Sequence, residues 1–212
     1  MRPLISLSTT ALAFLLASSQ LLAGEFNPDM NIGDAAPAWN QLPGVDGKSH
    51  SLSDLAKNKV VVVVFTCNSC PYAIDAEDRL ISLHAFCEAN SAALIAINVN
   101  KIPADAFPAM KDKAKAKSYK FPYLFDETQA IAKAFGARYT PECFVLDEQR
   151  KIVYMGSIDD SPDGKAVTVK HIENAIRDTL DKKQPAVQES VPIGCRIRFD
   201  RVKRTRRQPS ES

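Results

Sequence analysis

Two cysteines three positions apart close a long apolar run: Val60-Val61-Val62-Val63-Val64-Phe65-Thr66-Cys67-Asn68-Ser69-Cys70-Pro71-Tyr72. Pro71 suits the first position of a helix. Both thiols then sit at a helix N-terminus, where the backbone dipole favours thiolate over thiol. Thiolate is the form that attacks a disulfide, and a second thiol nearby can release the mixed disulfide that results. Cys67, nearer the strand, is the candidate nucleophile, and Cys70, one turn in, is the candidate resolving thiol. The inserted Asn68-Ser69 carries no charge that would shift either group strongly. The competing use of Cys-x-x-Cys is half of a zinc site, which needs a second Cys or His pair at ligand spacing. Cys87, Cys143 and Cys195 are isolated, and His50, His84 and His171 are scattered. The spacing favours redox chemistry by the thiols themselves, with no metal and no cofactor.

The elements that must hold this pair follow from periodicity. Val60–Phe65 is apolar on both faces, as in a strand covered on both sides. Ile74, Leu80, Leu83 and Cys87 recur near helical spacing between Pro71 and Asn90. Leu94–Val99 reads as a second buried strand, 105–117 as a charged helix able to begin near Pro108, and Pro122–Phe125 as a short strand. Asp126 and Thr128 are placed to cap a helix from Gln129 to Phe135, which Gly136 stops. Cys143–Leu146 and Ile152–Ser157 flank the turn Asp147–Arg150 as an antiparallel hairpin, and His171–Leu180 is a final helix. Ahead of these, residues 24–59 are turn-rich, with a hairpin turn at Val45–Lys48 and a capped helical turn at Ser51–Leu55. Alternating strands and helices followed by a hairpin predict an α/β fold with a mixed central sheet and helices on both faces.

Thr140-Pro141 stands at the entry to the Cys143 strand. Such a proline is either an ordinary trans residue at a strand start or a cis residue in a constrained turn, and the residues alone leave both open. Glu142 is the acid placed to assist the second thiol; its other reading is a partly exposed, solvated glutamate. Cys87 shares a helical face with Leu80 and Leu83 and reads as a core thiol, as does Cys143. In the tail, Ile193, Ile197 and Phe199 stand among charges around Gly194-Cys195. One reading is a disordered basic extension. The other is a segment that docks on the domain and brings Cys195 to the dithiol as a third thiol, which suits an odd cysteine count.

Together these features resemble thioredoxin. The chain is more closely similar to the redoxin branch related to alkyl hydroperoxide reductase and thiol-specific antioxidant proteins. Ile32-Gly33-Asp34-Ala35-Ala36-Pro37 looks like that branch's opening, and Phe65–Tyr72 is similar to a subgroup reading F-x-C-N-x-C-P-Y. Phe121–Gln129 and Gly136–Glu142 fit the same subgroup, so the resemblance spans residues 30 to about 180. It implies a thioredoxin-like three-layer fold with an N-terminal redoxin extension. It also implies a cis Pro141 facing the dithiol, with Thr140 and Pro141 lining the substrate groove. The implied partners are protein disulfides or dithiols and a protein that donates or accepts electrons. A Gly-Cys like Gly194-Cys195 is often present in the subgroup's tail. There are departures. Ser69 stands where the subgroup often has His, and the strand lacks the buried acid that assists the second thiol in many thioredoxins. Peroxidases of the wider family need Pro-x-x-x-Thr-x-x-Cys, whereas Val63 and Thr66 precede Cys67 here. A thiol peroxidase using the same cysteines is therefore the second enzymatic reading. A copper-binding or copper-delivery module is the third; it calls for C-x-x-x-C and a late-loop His, which the chain does not have.

Composition sets the remaining bounds. Of 212 residues, 45% are hydrophobic and 25% charged, which excludes a disordered or fibrous chain. The net charge of +2 is unevenly spread: residues 185–212 hold seven basic and three acidic residues, and residues 24–184 hold 19 and 22. The body lacks the basic surplus of a nucleic-acid binder. The tail is basic enough for weak contact with an anionic membrane or an acidic partner. Arg2, the apolar Ala11–Ala17 and Leu21-Leu22-Ala23 read as an export leader, which would place the mature chain in the periplasm or outside the cell. The expected organisation is a leader at 1–23, one redoxin domain at 24–184 and a basic tail at 185–212.

Overall fold

The computed structural model describes residues 24–200. The expected leader at 1–23 and the basic run Arg201–Arg207 lie outside the described residues. In chain order the elements are β1 (Leu42–Pro43), β2 (Ser49–His50), a 3-10 turn at Leu52–Leu55, β3 (Val60–Phe65), α1 (Pro71–Asp75), α2 (Glu77–Ala89) and β4 (Ala92–Asn98). Then follow α3 (Phe107–Ala116), β5 (Tyr123–Phe125), α4 (Ala130–Ala134), β6 (Tyr139–Thr140), β7 (Glu142–Leu146), β8 (Ile152–Gly156), α5 (His171–Leu180) and β9 (Cys195–Arg196).

The central sheet has the order β5-β4-β3-β7-β8. β3, β4 and β5 run parallel, while β7 and β8 are antiparallel to their neighbours. This is the mixed, thioredoxin-like three-layer arrangement that the alternation and the resemblance implied. β3 is the middle strand, and all six of its residues are fully buried. Val60, Val62 and Val64 face α2 and α5, meeting Leu80, Leu83, Cys87, Ile172 and Ile176. Val61, Val63 and Phe65 face the other layer, with Trp39, Ala132, Phe135 and Phe144. Successive side chains of a strand point to opposite faces, so an unbroken apolar run supplies both. That explains a valine run without alternation, since each such burial contributes roughly 1.5–3 kcal/mol.

Three predicted helices differ from their expected bounds. The helix after Cys70 breaks at Ala76, whose N–H bonds the Tyr72 and Ile74 carbonyls as the cap of α1. α3 begins at Phe107 and carries Pro108 in its first turn. Residues 99–106 stay outside it because their polar groups are engaged at the dithiol loop. α4 is shorter than expected because Gln129 takes a left-handed backbone, φ 62°. Its fully buried amide side chain donates to the carbonyls of Val99 and Arg198. Asp126 and Thr128 do serve the start of α4, accepting the N–H groups of Ile131 and Ala130.

Phe65, Phe135 and Phe144 pack edge to face, with ring centroids 5.0–5.9 Å apart, beneath the end of β3 that leads to Cys67. Removing one ring opens a cavity where the dithiol strand is anchored. Phe144→Ala should lower unfolding stability by about 3–5 kcal/mol in urea titrations. A loss well below this would show that the layer recloses around the gap.

Candidate active site

Cys67 leaves the sheet just after β3, where the Thr66 N–H still bonds the Ile97 carbonyl at 3.0 Å. Cys70 is the N-cap of α1, with Pro71 next. The two residues between them are tightly held. Asp105 is fully buried, and its Oδ1 accepts the N–H groups of Asn68 at 2.9 Å and Ser69 at 2.8 Å. Its Oδ2 accepts the Ser69 hydroxyl at 2.8 Å and the Asn100 side-chain amide at 3.2 Å. Asn68 donates from its side chain to the Ala104 carbonyl at 2.9 Å and accepts the Tyr123 hydroxyl at 3.0 Å.

Sequence reading missed Asp105, which it took as the start of a charged helix. Nothing in the local sequence separates such an acid from a solvated one. The β4–α3 loop thus places a buried carboxylate against the backbone between the two thiols.

Cys67 and Cys70 are 5% and 2% exposed. Their sulfurs lie in one cluster, and this pairing is the largest influence on the ionisation of each. It holds the Cys70 thiol well below the ordinary range, with added help from the Cys195 thiol and from the N–H groups of Ala73 and Cys195. It pushes the Cys67 thiol up, with burial and the Asp105 charge acting in the same direction. The pair therefore gives up one proton readily and resists losing a second, as interacting titrating groups do. That single charge can move. Cys70 Sγ lies 3.0 Å from the Thr140 carbonyl, a contact that only its S–H form makes favourably. Cys67 Sγ lies 3.4 Å from the Thr140 hydroxyl, a donor that suits a thiolate. A proton passed from Cys67 to Cys70 leaves the charge on Cys67 with both sulfurs still satisfied.

The Thr140–Pro141 bond is cis. Thr140, through hydroxyl and carbonyl, faces both sulfurs. Residues 191–200 lie on the domain rather than away from it. β9 pairs antiparallel with β6, setting Cys195 opposite Thr140, and the Cys195 N–H points to Cys70 Sγ at 3.4 Å. Cys87 and Cys143 lie in the core; burial pushes Cys87 up to about 12 and Cys143 well above the ordinary thiol range.

Glu142 requires a correction. It is buried rather than partly exposed, and its carboxylate accepts the N–H groups of Arg138 at 2.7 Å and Tyr139 at 2.9 Å. It braces the turn before Pro141 and makes no hydrogen bond to either thiol. Among the described residues, no group of three or more His, Cys, Asp or Glu side chains is arranged to hold a metal ion.

This fold and this dithiol define a thioredoxin-like redoxin. The chain belongs to the AhpC/TSA family, which matches residues 32–155. A hypothetical protein from Sinorhizobium meliloti 1021 is 30% identical in a match covering 82% of this chain and 97% of that one, at TM-score 0.76. An uncharacterized conserved protein from Geobacillus kaustophilus is 34% identical over 80% of this chain and 93% of that one, at TM-score 0.75. The thioredoxin domain of a thiol-disulfide oxidoreductase from Bacteroides vulgatus shares the fold at 17% identity, over 72% of this chain and 97% of that one, at TM-score 0.51. No curated protein matches at a significant level. Family and fold together support oxidoreductase activity.

Two outcomes follow from the buried acids. Asp105→Asn removes a negative charge beside Cys67, so the pH at which the pair becomes reactive to iodoacetamide should fall and the reduction potential should rise; an unchanged potential would make Asp105 a loop anchor only. Leaving one of its donors unpaired should also cost about 1–3 kcal/mol. Glu142 is raised by burial from 4.5 to about 6. The folded chain thus holds that proton more tightly than the unfolded chain. Its favourable contribution is complete below pH 4.5 and is lost as pH rises through 6, by about 2 kcal/mol in all. Glu142→Gln should flatten unfolding stability across this interval without lowering it at pH 7.

Proposed function

We propose that this protein is an exported thiol–disulfide oxidoreductase that exchanges disulfides with protein partners through Cys67 and Cys70. The observation that carries the reading is the pair of thiols at the start of α1 that both face Thr140, Cys67 Sγ at 3.4 Å from its hydroxyl and Cys70 Sγ at 3.0 Å from its carbonyl, beside the cis Pro141. The Cys67 thiolate attacks one sulfur of a partner disulfide. A Cys67–partner bond forms, and the partner's other sulfur leaves as thiolate. Cys70, giving up its proton, then attacks the Cys67 sulfur. The Cys67–Cys70 disulfide forms and the partner leaves with both thiols reduced. Run backwards, the same steps oxidise a partner dithiol, and the protein that supplies or removes electrons sets the direction.

Thr140 and Pro141 line the groove where the partner's sulfur would enter. Cys67 is given the attacking role because Cys70 is the less exposed of the two and is hemmed by the Cys195 N–H and the Thr140 carbonyl. Residues 1–23 support export, and among the described residues no helix is long and apolar enough to cross a membrane.

Cys67→Ser should abolish reduction of insulin disulfides. Cys70→Ser should accumulate partner proteins linked to Cys67, visible as reducible bands in non-reducing gels. Equal trapping by both single variants would refute this division of roles. Rapid loss of hydrogen peroxide on mixing with the reduced protein would favour the thiol peroxidase reading instead. Mature protein recovered from its source should lack residues 1–23.

A further inference from the structure

The third thiol at the site is part of a built contact. Residues 193–200 form a strap that the domain holds through backbone hydrogen bonds from Cys195 to Asp200. The Ile197 N–H bonds the Arg138 carbonyl at 2.8 Å, and the Arg198 N–H bonds Asn100 Oδ1 at 3.1 Å. Gln129 clamps the strap from both sides, donating to the Arg198 carbonyl at 3.0 Å and accepting the Asp200 N–H at 2.8 Å. Ile197 is buried in the layer beneath β3, and Phe199 packs beside it. Gly194 crosses so close to the Thr140 carbonyl that a Cβ there would collide with it. Glycine at this point lets the next residue reach the dithiol. Cys195 packs against the cluster of Cys67, Cys70 and Ala73, and its backbone N–H points to the Cys70 sulfur at 3.4 Å. Cys70 therefore has both other cysteines of the site as neighbours.

We infer that Cys195 is an internal exchange thiol, to which the Cys67–Cys70 disulfide is passed as a Cys70–Cys195 disulfide. This rests on the dithiol reading above. In the oxidised protein Cys195 gives up its proton and attacks the Cys70 sulfur. The Cys70–Cys195 bond forms, the Cys67–Cys70 bond breaks, and Cys67 leaves as the thiolate and takes up the proton. Both sides of the exchange carry one disulfide and one thiol, so no oxidant or reductant is needed. The β6–β9 pairing thus seats the chain's own tail beside Thr140 as a tethered disulfide partner. The consequence is that Cys67 becomes free to attack again while the protein is still oxidised.

The test uses the wild-type chain. Reduced protein is oxidised with oxidised glutathione, freed of it, and incubated at neutral pH with iodoacetamide, which captures any free thiol irreversibly. Non-reducing digestion and mass spectrometry then locate the label and the disulfide. Expected is label on Cys67 together with a Cys70–Cys195 disulfide, growing with time as capture drains the rearranged form. In Cys195→Ser the Cys67 label should be lost and the Cys67–Cys70 disulfide should persist. Label on Cys195 alone in the wild type, with Cys67–Cys70 intact, would overturn the inference and leave the dithiol reading standing. Oxidised protein that contains no disulfide at Cys70 at all would overturn the dithiol reading itself.

Discussion

Thr140 meets every reactive sulfur in the molecule. Its hydroxyl lies against Cys67, its carbonyl against Cys70, and its backbone pairs with Cys195. These contacts need the chain to turn sharply before β7, and the cis bond to Pro141 and the buried Glu142 carboxylate both serve that turn. The two sides of the site are brought together by the sheet itself. β3 and β7 are adjacent antiparallel strands in register from Val61 with Leu146 to Phe65 with Glu142. The end of β3 that delivers Cys67 is therefore beside the start of β7 that delivers Thr140. Slipping that register by one residue would exchange the two buried faces of the strand.

The opposite wall is set by Asp105. A carboxylate removed from water is costly unless its hydrogen-bonding capacity is filled. Here four donors fill it, three of them from Asn68 and Ser69. The same bonds fix the loop between the thiols, and the same charge opposes a second negative charge on Cys67. Holding the loop and restraining ionisation are thus two effects of one group. Asn68 completes the anchor by tying the loop to Tyr123 on β5 and to the Ala104 carbonyl. The side chains of Asn68 and Ser69 thus take part in the same anchor as their backbone N–H groups.

Much of this fold was legible in the sequence. The six apolar residues of β3 could only be a strand covered on both faces, and Cys-x-x-Cys-Pro marked the helix start beyond it. The hairpin β7–β8 and the helix α5 came from turn residues and from periodicity. The resemblance implied the cis Pro141, which the residues alone left open. What escaped was long-range. Asp105 lies 35 to 38 positions from the cysteines and looks locally like any acid ahead of a helix. Glu142 sits at a strand entry, where solvation is the ordinary expectation, and only the folded turn shows the two amide groups that hold it. Gln129 gave no hint of a left-handed backbone, because the reason lies in the strap, some 70 residues later. Helix ends were misjudged where a side chain was claimed by a distant partner.

The most direct measurement of the central claim is a redox titration of the wild-type protein in glutathione buffers, read as the native thiols still open to alkylation. A working dithiol predicts that two thiols vanish together in one two-electron step, with an internal disulfide at Cys70 and no attached glutathione. Thiols lost one at a time, each as a glutathione adduct, would contradict it.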